Sequence, residues 1–265
     1  MNTVSSPVVF VHAHPDDEAI FTGGTIVRLA RAGVDVVLVV ATGGELGDVR
    51  VSPGGTDDAP IGDLAACRQA ETAAAAGLLG VREVVSLGYC DSGMAGTAAN
   101  AAPGAFAAAP VGDAADRLAA VFGRVGASAV VGYDETGIYG HPDHIQVTRI
   151  VHAAAVQAGV PTVYGATVDR EYLHFVETHV VAEAALVGDL GLVRSHLGVA
   201  TAEVAVAVDV STVLNVKRAA IAAHASQIPE TSSVLQLPEH HFADVYGWEW
   251  YVRAGPPGPL DTLND

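Results

Sequence analysis

Short runs of β-branched and aromatic residues alternate along this chain with longer stretches whose apolar positions recur every three or four residues. The first run, Val8-Val9-Phe10-Val11, reads as a buried strand, and residues 19–31 have amphipathic-helix spacing with Gly33 as the stop. Residues 34–41 form an almost unbroken apolar run, the pattern of a strand covered on both faces. The same reading predicts helices at 64–79, 113–124 and through about 158, with strands at 83–87, 128–133 and 162–166. Residues 51–60 and 93–110, rich in Gly, Pro, Asp or Ala, read as loops. Beyond Asp169 the rhythm loosens: helices at 171–177 and 213–225, a strand at 203–208, and a frayed tail after Arg253 are expected.

This alternation predicts a Rossmann-like α/β fold with a mainly parallel sheet flanked by helices. The 265 residues read as a single domain: a core at about 7–166, a smaller C-terminal portion at 167–253 over the active-site edge, and a tail at 254–265. In such a sheet the carboxyl ends of the parallel strands share one edge, and ligands bind there. The polar clusters fall at that edge. His14 and Asp17 follow the first strand, Glu45 the second, Asp91 the third and His144 the fourth.

Composition narrows the function. Half of the residues are hydrophobic and mean hydropathy is +0.35, enough for a large core. The net charge of −17, from 13 Lys+Arg against 30 Asp+Glu, argues against nucleic acid and anionic membranes as partners. No apolar run is long enough to cross a bilayer, and no basic segment precedes a signal-type stretch. A soluble cytoplasmic protein acting on a small molecule is expected, with a homo-oligomer left open. Cys67 and Cys90 form no C-x-x-C motif, so neither a disulfide framework nor a thiolate zinc site is expected.

Two segments carry the chemistry: His12-Ala13-His14-Pro15-Asp16-Asp17-Glu18, and Tyr139-Gly140-His141-Pro142-Asp143-His144. Each alone also reads as a helix start, with an acid or Pro in the first turn. That reading leaves the histidines without a role. Burying so many ionisable groups is costly unless each is paired or bound to a cation, and imidazole and carboxylate are ordinary ligands of zinc or ferrous iron. His14, Asp17 and His144 make a three-ligand set that leaves coordination positions open. Asp16 then stands close enough to take a proton from water, and His141 to donate one or to hold an oxyanion. Asp143 could hydrogen-bond the His141 imidazole and favour its protonated form. The chemistry implied is metal-assisted hydrolysis of an acyl bond.

Ala13-His14-Pro15-Asp16-Asp17-Glu18 together with His141-Pro142-Asp143-His144 resembles the PIG-L, or LmbE-like, family of zinc-dependent N-acetylglucosaminyl de-N-acetylases. Asp91-Ser92-Gly93-Met94-Ala95-Gly96 is similar to a segment of its actinobacterial branch, which acts on mycothiol precursors and conjugates. The resemblance spans most of 7–165 and weakly 217–227. It implies zinc, with ferrous iron also suited, on His14, Asp17 and His144; Asp16 as general base; His141, tuned by Asp143, as proton donor or oxyanion holder; and Tyr139 at the oxyanion. It implies substrate contacts for Arg68, Glu71 and Asp91, and an amino-sugar substrate. The alternatives are an amidase for a larger sugar or thiol conjugate, and a non-catalytic sugar-binding protein on the same fold. The 97–112 segment is Ala-rich where charged residues would meet an inositol or thiol conjugate, and the distal third matches poorly.

Among the remaining residues, His12 reads as structural, and His224 as lining the pocket or capping a helix. Glu45 sits in a glycine-rich loop and reads as a site residue or a solvated acid. His240-His241 reads as an exposed loop, and Trp248, Trp250 and Tyr251 as packing residues more than a sugar platform.

Overall fold

The computed structural model describes residues 6–47, 64–176 and 197–264; the expected loop at 51–60 lies outside them. Seven strands, β1 (Val8–His12), β2 (Val36–Thr42), β3 (Glu83–Tyr89), β4 (Ala129–Tyr133), β5 (Thr162–Thr167), β6 (Val206–Asp209) and β7 (Trp248–Ala254), form one sheet in the order β3-β2-β1-β4-β5-β7-β6. The first five are parallel. The valine-rich strands β1, β2, β4 and β5 are buried along their whole length, as strands covered on both faces must be. β3, at the sheet edge, alternates half-buried and exposed positions at its start.

Strand order reverses between β1 and β4, where the chain stops building in one direction and starts in the other. Right-handed crossovers then put helices on both faces and open a crevice at the carboxyl ends of these two strands. α4 (Val111–Val125) packs against α6 (Pro142–Ala158), and α8 (Leu214–Ala223) against α3 (Leu64–Leu79) and α2 (Gly23–Arg31). No helix among the described residues is long and apolar enough to cross a membrane.

Three expectations are corrected and one unassigned segment proves to be a strand. The helix expected at 19–31 is two: α1 (Asp17–Phe21) and α2, separated at Thr22. Asp17 and Glu18 therefore lie in the first turn of a five-residue helix, and this break directs their side chains. β7 runs antiparallel between β5 and β6, with Tyr251 fully buried. Its tryptophans hide an ordinary alternating strand pattern that a sugar-platform reading obscures. His240 and His241 are helical, on α10 (Glu239–Tyr246), which follows the single-turn α9 (Ser233–Gln236). The tail is tied down: Leu260 is fully buried, Tyr164 donates to Asp261 at 2.6 Å, and Arg253 pairs with Asp261.

The C-terminal portion reaches the crevice by two routes. After α7 (Arg170–Phe175), Gly198 N–H donates to Ile138 O at 2.7 Å. On the other flank, Glu249 of β7 accepts from Gly24 and Thr25 at 2.8 Å each, filling the N-terminus of α2, and pairs with buried Lys217 of α8 at 2.6 Å. An anion on free helix N–H groups is favourable, and the lysine neutralises what burial would otherwise penalise.

Candidate metal centre

The loops after β1 and β4 meet at the reversal point. After β1, His12 does not enter the cluster: it is fully buried against Tyr133 Oη at 3.0 Å and Thr22 Oγ1 at 2.8 Å. Burial depresses its pKa to about 4, so it is a neutral packing residue. His14 and Asp17 point into the crevice. Asp17 Oδ2 lies 3.4 Å from His14 Nδ1 and 3.3 Å from His144 Nε2. The same oxygen accepts from His14 N–H at 2.9 Å and Tyr133 Oη at 2.8 Å, so the carboxylate cannot rotate freely.

The loop after β4 is built by Asp134. Its Oδ1 accepts from Thr136 N–H, Thr136 Oγ1 and Ile138 N–H at 2.8, 2.7 and 3.0 Å, and its Oδ2 accepts from Thr167 at 2.5 Å. The turn α5 (Gly137–Gly140) then crosses directly over α6. Gly137 has φ +66°, and a Cβ there would sit 2.7 Å from the His144 Cβ; only glycine lets the turn pass this close. α6 starts with His141 as N-cap, and its first turn presents Asp143 and His144. Tyr139 Oη lies 3.4 Å from His144 Nε2, and the Tyr133 ring stacks on His144 at 4.1 Å.

Ligand-type atoms of His14, His141 and His144 all lie within 4.8 Å of one another, as do those of His14, Asp91, His141 and Asp143. His14 Nε2 is 3.2 Å from Asp143 Oδ2 and 3.6 Å from Asp91 Oδ1. Burial opposes a charge on His14, but hydrogen bonds to Asp143, Asp17 and Asp91 raise its pKa well above the ordinary histidine value. Burial likewise opposes the Asp17 carboxylate, but His144 and His14 hold it well below the usual range. A buried nest of carboxylates that retains a proton on an imidazole is one in which a cation can replace that proton. Among the described residues, Asp143 Oδ1 and His144 Nδ1 are buried without a hydrogen-bond partner. The donor set fits a divalent cation.

Asp143 departs from expectation. Its carboxylate faces His14 and the Ser92 N–H, at 2.9 Å, and only its backbone N–H meets His141, donating to Nδ1 at 3.1 Å. Nor is the His141 imidazolium favoured: burial and the neighbouring His14 and His144 lower its pKa to about 4. A neutral ring that accepts at Nδ1 carries its proton on Nε2, which makes His141 a donor. Tyr139 keeps its hydroxyl proton, its pKa raised by burial and by Asp17.

Asp16 stands apart from the other acids. Its side chain is 19% exposed, against 6% for Asp17, 7% for Asp91 and none for Asp143. It is thus the most exposed of these four carboxylates. Burial raises its pKa to about 6, with Arg68 opposing. Its backbone is at φ +99°, and among the described residues only Ile138, at +65°, shares that condition outside glycine. Such strain costs about 1–3 kcal/mol and persists only where surroundings enforce it.

The expected substrate contacts fall into two groups. Asp91 lies at the crevice, its backbone N–H held by Glu45 at 2.9 Å, which gives the loop acid Glu45 a supporting role. Arg68 is 4% exposed, donating to Gly44 O, Pro15 O and Asp16 Oδ2, and Glu71 accepts twice from Ser226, at 2.7 Å each. Their charges are spent on the protein. The sequence assigns no individual role to Tyr133, Asp134 or Ser92: Ser92 lies in the segment similar to the actinobacterial branch, and Tyr133-Asp134 followed by Gly137 fits that branch too.

A histidine–carboxylate cradle at the reversal point of a parallel sheet, with the partly exposed Asp16 and one imidazole donor beside it, is a site of the kind that could hold a divalent cation for hydrolysis. The chain belongs to the PIG-L family, whose profile, GlcNAc-PI de-N-acetylase, matches residues 9–155 and so contains both loops. The chain is 36% identical over 270 residues to the 1D-myo-inositol 2-acetamido-2-deoxy-alpha-D-glucopyranoside deacetylase of Salinispora arenicola, covering 95% of this chain and 86% of that one. It is 40% identical over 271 residues to the enzyme of the same description from Nakamurella multipartita, covering 97% and 92%. Among solved structures, the fold is similar to N,N'-diacetylchitobiose deacetylase from Pyrococcus horikoshii, with TM-score 0.59 and 23% identity over 95% of this chain and 84% of that one.

Proposed function

We propose that this deacetylase removes the acetyl group from 1D-myo-inositol 2-acetamido-2-deoxy-alpha-D-glucopyranoside, with zinc as its resident cation. Support for the substrate comes from relatives that match 95% and 97% of the chain. Support for the chemistry comes from one observation above all: Asp16 is the most exposed carboxylate of an otherwise buried histidine–acid cluster. His14, Asp17 and His144 would hold the cation, because His141 is committed through Nδ1 and offers a proton, not a lone pair. When bound, the cation supplies Lewis acidity and lowers the pKa of water at the site.

The residues of the chain then divide the work. Asp16, ionised above about pH 6, removes a proton from water as it attacks the acetamide carbon. His141 Nε2–H and Tyr139 Oη–H donate hydrogen bonds to the oxyanion as it develops. The proton collected by Asp16 passes to the departing nitrogen, so acetate and a free amine leave. Asp91 at the crevice wall is placed to accept from a sugar hydroxyl. Arg68 and Glu71 hold Asp16 and the 224–227 segment in place instead of touching sugar.

Incubation of zinc-loaded protein with the acetylated glycoside tests this. One acetate per free amine is expected. A larger acid released from a conjugate would favour the amidase reading, and binding of the glycoside without turnover would overturn catalysis.

A further inference from the structure

We infer that His224, acting through Glu18, is a positioning residue for the base Asp16, an assignment that rests on the base role proposed above. Glu18 divides its carboxylate between two donors. Oε2 accepts from the Asp16 backbone N–H at 3.1 Å, and Oε1 accepts from His224 Nε2 at 2.7 Å. Glu18 and His224 are both fully buried. The imidazole sits at the C-cap of α8, 206 residues away in sequence, and its Nδ1 has no hydrogen-bond partner, so Glu18 is what it holds.

The segment carrying His224 is itself anchored. Gln227 and Ile228 N–H donate to His224 O, and Ser226 bonds Glu71 of α3 through both backbone and hydroxyl. The imidazole therefore cannot follow Glu18 if Glu18 moves. The group that benefits is the N–H of a residue at φ +99°, whose carboxylate accepts from Arg68 at 3.2 Å and is more exposed than its neighbours Asp17, Asp91 and Asp143. A plain buried ion pair would not explain why the second oxygen of Glu18 is spent there.

The loop after β4 repeats the device. Ile138, the other strained non-glycine residue among those described, also gives its N–H to a buried carboxylate, Asp134, whose second oxygen is fixed by Thr167. In each loop one carboxylate oxygen holds the strained N–H and the other is tied to a rigid element. At Asp16 that element comes from the C-terminal third.

Three variants test the assignment. H224L removes the donor, H224Q replaces imidazole Nε2–H with an amide N–H, and E18Q, without changing volume, can accept from only one of its two donors. Acetate release from the acetylated glycoside, zinc content and crystal structures are read on each. H224L and E18Q should lower kcat by about 10- to 100-fold, with KM and zinc content at wild-type values and Asp16 φ no longer positive. H224Q should recover most of kcat and the torsion. If H224L does not fold, E18Q carries the test alone. Wild-type kcat in both H224L and E18Q, loss of activity only in step with zinc, or an Asp16 torsion unchanged in E18Q would overturn the assignment. Should wild-type protein release no acetate, the functional reading fails, and the torsions alone decide the positioning role.

Discussion

The loops after β1 and β4 flank the same reversal in strand order and carry the two halves of the site, yet they are held by different parts of the chain. The β4 loop is organised locally: Asp134 opens it, accepts its N–H groups and is fixed by the neighbouring strand through Thr167. The β1 loop depends on remote elements, with Arg68 from α3, His224 from the end of α8, and Glu249 from β7 behind α2. The proposed donors, His141 and Tyr139, rest on this locally braced loop, which takes one backbone bond from the C-terminal portion, Gly198 N–H to Ile138 O. The proposed base, Asp16, rests on the loop braced by contacts from the C-terminal third.

The largest expected effect separates the base from the loop that carries it. D16N should lower kcat by about 10²- to 10⁴-fold while zinc content stays at the wild-type value; acetate release and metal analysis on one sample check both. Next comes the remote support. K217M leaves Glu249 buried without its cation, and urea unfolding should show a loss of about 3–5 kcal/mol, with Asp16-dependent turnover falling before the β4 loop is disturbed. The local support is weaker by design of the contrast: D134N keeps one acceptor oxygen and loses the one facing Thr167, which should cost about 1–2 kcal/mol in the same assay. The smallest effect lies away from both loops. Y164F removes the bond to Asp261 and should cost about 1 kcal/mol, with unchanged turnover, if the tail is docked as described.

How much of this was legible in the sequence follows the same division. β-branched runs located β1, β2, β4 and β5 because both faces of those strands are covered, a shorter apolar run located the edge strand β3, and the two motifs fell behind β1 and β4 where the fold puts its ligands. His14, Asp16, Asp17, His141 and His144 were visible as residues too costly to bury without partners. The break at Thr22 was not, because an apolar period of three to four continues across it. β7 was hidden since an antiparallel strand inserted out of sequence order has no preceding crossover to announce it. The carboxylate of Asp143 was assigned to the nearest histidine in sequence, whereas the helix turn aims it at His14 and Ser92. Partnerships such as His224 with Glu18 and Ser226 with Glu71 span more than 150 residues. No local pattern encodes them.

The most direct test of the central claim is an anomalous difference map at the zinc edge from crystals of zinc-loaded protein. A single peak bonded to His14, Asp17 and His144, with His141 unligated and Asp16 beside the open side, is the expected result. A peak bonded to His141 in place of Asp17, or seated among Asp91, Asp143 and His14, would contradict it.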